Sequence, residues 1–448
     1  MFAGLTDGAE PLAFDIVTSI LESAWGGRVD TVVSEIDPSG KAASLGQVHQ
    51  AKLHSGQRVA IKVAYPGIRE AVMNDLKMLG WLSAPVGDLR KGFDLGSYRR
   101  EVVRDLNEEL DYPKELANQV RYRTLAASLK TVIVPEPIEQ WARSNVLVST
   151  WEDGETIDEA TRWLPNDREE LARRILRHFL TMLFDHGVVH GDPHPGNYRF
   201  RLDRDAGPQI VLYDYGSVLT LSDADRLALL RLIADTASQR GDPNLWLTAL
   251  GFDARLLDPI RAKLPAVCSV LFEPFAHPSK FDISDWKRTE RLDDILADDR
   301  WNFRMAGPAK FILLMRAFRG LLYYLERLKA PISWERVLSP ILSRHRVAID
   351  GLATPATAGL SAPFSTMAKY LRIEVRRNGQ RKVWLTMPGA CVEDLSGIMD
   401  EDVIAKVAEQ GIDLDAIVRD ARRSGYAPME LFTLDDPEQD KTVRVWMD

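Results

Sequence analysis

The stretch VVHGDPHPGNYRF, residues 188–200, followed by IVLYDYGSV, residues 210–218, decides how the rest of the chain is read. It sets His190, Gly191 and Asp192 ahead of Asn197 with four residues between Asp and Asn, then Asp214, Tyr215 and Gly216 after a short hairpin. Phosphoryl transfer from a nucleotide needs an aspartate near the acceptor hydroxyl, an Asn and a second Asp to hold Mg²⁺, and a cation on the α- and β-phosphates. Asp192, Asn197 and Asp214 meet the first three needs at kinase spacing. VAIK, ending at Lys62 on a predicted strand, meets the fourth. Each string alone is weak, since Asp and Asn in loops are mostly turn and capping residues and short matches arise by chance. Their common order is what carries the reading.

An acid must hold Lys62, and EELDYPKELANQ, residues 108–119, offers Glu108, Glu109, Asp111 and Glu115. Glu115 follows Pro113 on a segment whose apolar positions Leu116, Val120 and Leu125 would pack on the lobe, so the pair is drawn as Lys62–Glu115. Glu109 and Asp111 then face the Mg²⁺ side. Before the lysine strand a protein kinase would carry GxGxxG; here the place reads Lys41-Ala42-Ala43-Ser44-Leu45-Gly46-Gln47. Alanine Cβ atoms hinder close backbone approach to phosphates, so nucleotide geometry should differ from that of an ordinary protein kinase. Lys41 and Ser44 are candidates for direct phosphate contact, against the plain alternative of a strand-entry turn.

Outward from these motifs, Phe14 to Trp25 reads as an amphipathic helix stopped at Gly26-Gly27, and Gly46–Leu53 with Arg58–Val63 as a hairpin. Helical periodicity follows over 67–82 and 98–127, with Pro113 a break or a fresh start. Strands are expected at 131–134 and 145–151. A strong helix ends at Gly187, and others are expected at 222–239, 257–271, 304–328 and 333–345. The uncharged Ala/Thr/Pro/Gly/Ser stretch 351–367 reads as a linker. Beyond it, residues 368–448 predict a hairpin turning at Asn378-Gly379, a helical stretch over 400–424 and a second strand pair, a small α+β module. The fold class is thus α+β, with a small mixed α/β lobe over 10–152, a helical lobe over 153–350, and the accessory module.

The 448 residues carry 57 Lys and Arg against 65 Asp and Glu, a net charge of −8 that disfavours nucleic acid as the main partner. Two cysteines, Cys268 and Cys391, far apart and without metal-ligand spacing, indicate neither a disulfide framework nor a zinc site. The first residues carry acids and no Lys or Arg before the apolar stretch, the wrong pattern for a secretory signal. No run approaches the ~18–20 apolar residues needed to span a bilayer. A cytoplasmic place is expected. Residues 304–328 alternate Phe311, Leu314, Phe318 and Leu321 with Arg316, Arg319 and Arg327, as an inner-membrane surface helix or an ordinary lobe-core helix would.

KAASLGQVHQAKLHSGQRVAIKVAYPGI, ELDYPKELAN, VVHGDPHPGN and LYDYGSV together resemble the UbiB/AarF-domain atypical kinase family over about residues 10–345. The PGI after the lysine strand and the HPGN loop separate this pattern from aminoglycoside- and choline-kinase-like enzymes. The resemblance implies a protein-kinase-like two-lobe fold that binds Mg²⁺ and ATP or ADP, with low or conditional phosphotransfer and a role tied to isoprenoid lipids such as ubiquinone. It assigns Lys62 to the phosphates, Glu115 to Lys62, Glu109 and Asp111 to the ExD pair, Asp192 to catalysis, and Asn197 and Asp214 to the metal. The adenine hinge would lie at Trp151 and Glu152. Tyr215 stands where the family has Phe. No KxGQ, the motif of a self-occluding lid, occurs in the sequence, so the expected member lacks that lid or starts after it. Two other classes stay open: a pseudokinase-like regulator that recruits a partner through 368–448, and a small-molecule phosphotransferase.

Overall fold

The structure, a computed structural model, describes residues 12–43, 45–68, 111–277, 279–352, 368–399, 401–424, 426–436 and 440–448. Ser44, Glu108, Glu109, the helix expected over 67–82, the first part of that over 98–127 and linker residues 353–367 lie outside the described residues. The chain divides into two compact units, Met1–Thr220 with Leu313–Ala330, and Leu221–Ile312 with Pro331–Asp448.

Alternation builds the first unit's main sheet. Strands β1 (Val33–Ile36), β2 (Lys41–Ala43), β3 (Gly46–Leu53), β4 (Arg58–Ala64) and, after the two-residue β5 (Val132–Ile133), β6 (Val146–Thr150) give the order β1-β3-β4-β6 with β2 on β3. Val59, Ile61 and Val63 of β4 are fully buried, with Val146 and Val148 of β6, beneath Val17 and Leu21 of helix α1 (Phe14–Trp25). Each such side chain contributes about 1.5–3 kcal/mol on burial. Because successive strand residues face opposite ways, the same packing turns Lys62 to the other side of the sheet. Helix α1 ends as expected at Gly26, whose φ of 69° is left-handed.

Helix α2 (Tyr112–Ala126) settles the status of Pro113: it lies in the first turn, where its missing N–H costs nothing, and Asp111 caps the helix by accepting from the Lys114 N–H at 3.1 Å. Helix α3 (Pro165–Phe184) buries Leu171, Leu176 and Leu180, and leads through Gly187 into β7 (Val188–His190). Strands β8 (Tyr198–Asp203) and β9 (Gly207–Leu212) form the short hairpin, and β10 (Val218–Thr220) pairs back on β7. The Asp192–Asn197 and Asp214–Gly216 loops both start or end on the β7–β10 pair, which brings them side by side.

Three helices differ from expectation, each at a breaker. The helix expected over 304–328 is two, Arg300–Ala306 and α4 (Ala309–Leu328), parted at Gly307-Pro308 because proline disfavours helical geometry at the residue before it. That over 257–271 is split by a 3₁₀ stretch, Asp258–Lys263, holding Pro259. The helical stretch over 400–424 is Glu401–Glu409 and Leu414–Arg423, with Gly411 at φ 74° between them. Leu321, Leu322, Leu325 and Leu328 of α4 are buried, as in a core helix. Among the described residues no helix is long and apolar enough to cross a membrane.

The second unit holds helices Asp223–Ala237, Leu264–Ala276 and Trp334–Asp350 and a four-stranded antiparallel sheet. Strands β11 (Tyr370–Arg377), β12 (Gln380–Pro388), β13 (Met429–Asp436) and β14 (Lys441–Met447) lie in the order β12-β11-β14-β13. Asn378 and Gly379 both take positive φ in the β11–β12 turn, the tight hairpin geometry that an Asn-Gly pair favours. The architecture is a protein-kinase-like two-lobe α+β fold.

Candidate active site

The first unit gathers the motif residues into two groups. In the first, Lys62 Nζ on β4 lies 2.9 and 3.0 Å from the two carboxylate oxygens of Glu115 on α2 and 2.9 Å from Asp214 Oδ2. Glu115 is 3% exposed while the Lys62 and Asp214 side chains are 15% and 20% exposed, so one cation and two anions meet around a buried glutamate. Burial and the repulsion of Asp214 push the Glu115 carboxyl up to about 7, against the pull of Lys62. For Lys62 and Asp214, burial works against the charged form, yet their mutual attraction wins: the lysine pKa is raised well above its ordinary value and the aspartate's is lowered.

Asp214 takes the left-handed region at φ 57°, a conformation that costs a non-glycine residue about 1–2 kcal/mol and persists only where neighbours enforce it. They do so here. The Gly216 N–H donates to Asp214 Oδ1 at 3.0 Å, and His190 Nε2 donates to the Asp214 carbonyl at 2.6 Å. Since the other neighbour of that nitrogen is the Tyr213 carbonyl, at 3.2 Å, Nε2 carries the proton. Asn118, one turn beyond Glu115, donates to the Tyr215 carbonyl at 2.9 Å, while the Tyr215 N–H points at Glu115 Oε1. Helix α2 therefore grips both Lys62 and the Asp-Tyr-Gly loop.

In the second group, Asn197 Nδ2 donates to Asp192 Oδ2 at 2.5 Å, and Arg316 of α4 donates to Oδ1 at 2.8 Å. This group is open: the Asp192 and Arg316 side chains are 23% and 50% exposed. Beneath both groups lies an aromatic floor in which Tyr122 packs on His190 and Tyr215 and bonds His178 Nε2 at 2.8 Å. Burial, then the neighbouring His190, pushes His178 down to about 3, so it stays neutral and accepts the tyrosine proton.

The remaining sequence candidates are spread around these groups. Lys41 Nζ stacks over the Trp151 ring at 5.9 Å. Ala42 and Ala43 pair with Gln47 and Gly46 across the β2–β3 hairpin, where a Cβ on Gly46 would meet the Val63 carbonyl at 2.3 Å. Glu152 accepts from Arg201 at 3.0 Å through its side chain and from the Tyr213 hydroxyl at 2.6 Å through its carbonyl. Asp111 is occupied by its capping bond. The motif residues Gln47 and His49 are structural: both are buried, joined at 2.7 Å, and tied to the Leu12 N–H and the Asp37 carbonyl. Sequence reasoning missed Asn118 and Arg316. Asn118 had a signal, its place three residues after Glu115 on one helix face; Arg316, 124 residues from Asp192, had none.

A cation suits the place. One ammonium faces the buried Glu115 carboxylate and the partly exposed Asp214 carboxylate, and Asp214 and the Asn197 amide oxygen are the hard donors Mg²⁺ takes beside phosphate and water. Among the described residues no cluster of three or more His, Cys, Asp or Glu is placed to hold a metal ion.

The family model of the ABC1 atypical kinase-like domain matches residues 4–242, more than half of the chain. The chain belongs to this family. Among ABC1-type relatives, a chloroplastic aarF domain-containing protein kinase of Arabidopsis thaliana is 30% identical over 71% of this chain and 44% of its own length. AarF domain-containing protein kinase 1 of Xenopus tropicalis is 29% identical over 48% of this chain and 42% of its own. The chain thus spans about half the length, or less, of these curated relatives. Among solved structures, the Mycobacterium tuberculosis protein of a complex with erythromycin aligns at a TM-score of 0.58 and 23% identity, over 75% of this chain and 85% of that one, a likeness of fold.

Proposed function

We propose that this ABC1-family chain binds an adenine nucleotide with Mg²⁺ and moves its terminal phosphoryl group to an acceptor or to water, as an atypical kinase or ATPase serving isoprenoid-lipid or quinone metabolism. The observation that carries the proposal is the meeting of Lys62, Glu115 and Asp214 within 3.0 Å, from three distant parts of the sequence. Lys62 holds the α- and β-phosphates and Glu115 orients it. Asp192 accepts a hydrogen bond from the attacking hydroxyl or water, with its carboxylate aimed by Asn197. Trp151 and Glu152 flank the adenine, while Lys41, Ala42 and Ala43 cover the phosphates with a stiffer turn than glycines would give. Asn197 and Asp214 are the residues that would hold Mg²⁺. When bound, the ion neutralises the phosphate oxygens on which charge builds during transfer.

The lipid or quinone link rests on the family resemblance and concerns the acceptor. Nucleotide turnover with Mg²⁺, with and without anionic vesicles, tests both parts. Asp192→Asn should lower kcat by ~10²–10⁴-fold, the usual contribution of a positioned base, and Asp214→Asn should raise the Mg²⁺ requirement as well. Unchanged turnover in Asp192→Asn would sink the enzymatic reading; turnover indifferent to vesicles would count against a lipid-surface acceptor.

A further inference from the structure

The loop from Asp192 to Asn197, DPHPGN, contains no Lys or Arg, and Lys62 is engaged by two carboxylates. The cation beside Asp192 comes instead from α4, whose successive turns contact the loop through one face. Arg316 Nη2 is 2.8 Å from Asp192 Oδ1. Four residues on, a Cβ at Gly320 would fall 1.8 Å from Pro193 Cβ, so only glycine lets the helix lie this close. Four further, the Tyr324 hydroxyl donates to the Pro193 carbonyl at 3.0 Å. A glycine inside a helix is less favourable than alanine, and close approach to the loop is what it permits here.

We propose that Arg316 is a positioning residue for Asp192, delivered by the Arg316–Gly320–Tyr324 face of α4. Arg316 and Asn197 hold opposite oxygens of one carboxylate, so the acid cannot rotate away from the acceptor. This role rests on the proposed enzymatic function. It differs from ordinary surface pairing in what it predicts: an exposed pair contributes little stability, whereas loss of aim at a reacting centre costs rate, on the order of 10²-fold for a displacement near 1 Å.

The test is steady-state Mg-ATP turnover and thermal stability of the full chain as wild type, Arg316→Gln, Arg316→Lys, Gly320→Ala, Asp192→Asn and the Asp192→Asn/Arg316→Gln double variant. Arg316→Gln should lower kcat by about 10–100-fold, with the KM for ATP within about twofold of wild type. Arg316→Lys should recover part of that loss, because the contact is a single end-on bond that an ammonium can copy. Gly320→Ala should lower kcat with Arg316 still present. The double variant should be no slower than Asp192→Asn, and Arg319→Gln, an exposed neighbour, should match wild type. Wild-type kcat in Arg316→Gln, or an effect that multiplies fully onto Asp192→Asn, overturns the positioning role and leaves the enzyme reading standing. A wild-type chain without turnover, or Asp192→Asn as fast as wild type, overturns the enzyme reading and the positioning role with it.

Discussion

Lys62, Glu115 and Asp214 form an ion group built around a buried glutamate, whereas Asp192, Asn197 and Arg316 form one built on a half-exposed arginine, and the two depend on different physics. In the first group Glu115 has been taken out of water and relies on Lys62, so removing the lysine leaves it stranded. In the open group solvent screens the charges, so the bonds add little stability and serve mainly to aim a carboxylate. A site can thus be welded at one end, where charges must be held against desolvation, and adjustable at the other, where an acceptor must enter.

The largest effect that would break this contrast is expected from Lys62→Met. It leaves the buried Glu115 without its cation and should destabilise the chain by about 3–5 kcal/mol, read as a lower urea midpoint at pH 8. Adding Glu115→Gln should restore part of the loss. An unchanged midpoint in Lys62→Met would mean the group is better hydrated than its burial implies.

Next comes the floor beneath both groups. His178 has its folded pKa near 3 against an ordinary 6.5. The unfolded chain therefore binds the proton first, and stability is complete above pH 6.5 and lost as pH falls toward 3. Between pH 7 and pH 5 this residue alone should cost about 2 kcal/mol, at 1.36 kcal/mol per unit. His178→Gln, which titrates in neither state, should flatten that part of the urea-midpoint profile; an equally steep profile would assign the acid loss to other groups.

Asn118→Ala removes one neutral hydrogen bond to the Tyr215 carbonyl and should cost about 1 kcal/mol, with faster hydrogen exchange at Tyr215 and Gly216. Protection unchanged at those amides would mean that His190 and Glu115 hold the loop without it. The smallest stability change is expected from Arg316→Gln, below about 1 kcal/mol, despite its large effect on kcat. A loss comparable to that in Lys62→Met would erase the distinction between the two ends.

Much of this site was legible before any coordinates. The sequence places VAIK, ending at Lys62, on a strand, and β4 is that strand; which face the lysine takes follows from the burial of Val59, Ile61 and Val63. Pro113 reads in the sequence as a break or a fresh start, and the structure makes it a start, with Glu115 in the first turn of α2. The breaks at Gly307-Pro308 and Gly411 lay in plain view but were overridden by apolar periodicity, which continues across a short break. Gln47 and His49 belong to the motif string yet serve as a closed hydrogen-bond network under the hairpin. Residue type alone does not separate those uses, since an imidazole in a core and one in a site look alike in sequence.

The sequence by itself determined helix α1, the hairpin that carries Lys62 and the identity of the charged groups, because these follow from period, turn chemistry and the needs of phosphoryl transfer. Only the tertiary structure decided which carboxylates share Lys62, that Asp214 is held in a left-handed turn, and that α4 reaches the Asp192 loop. The two carboxylates lie 53 and 152 residues from Lys62, and α4 meets the Asp192 loop across 124 residues. No local propensity encodes such distances; packing sets them, here through a glycine small enough to let a helix touch a loop.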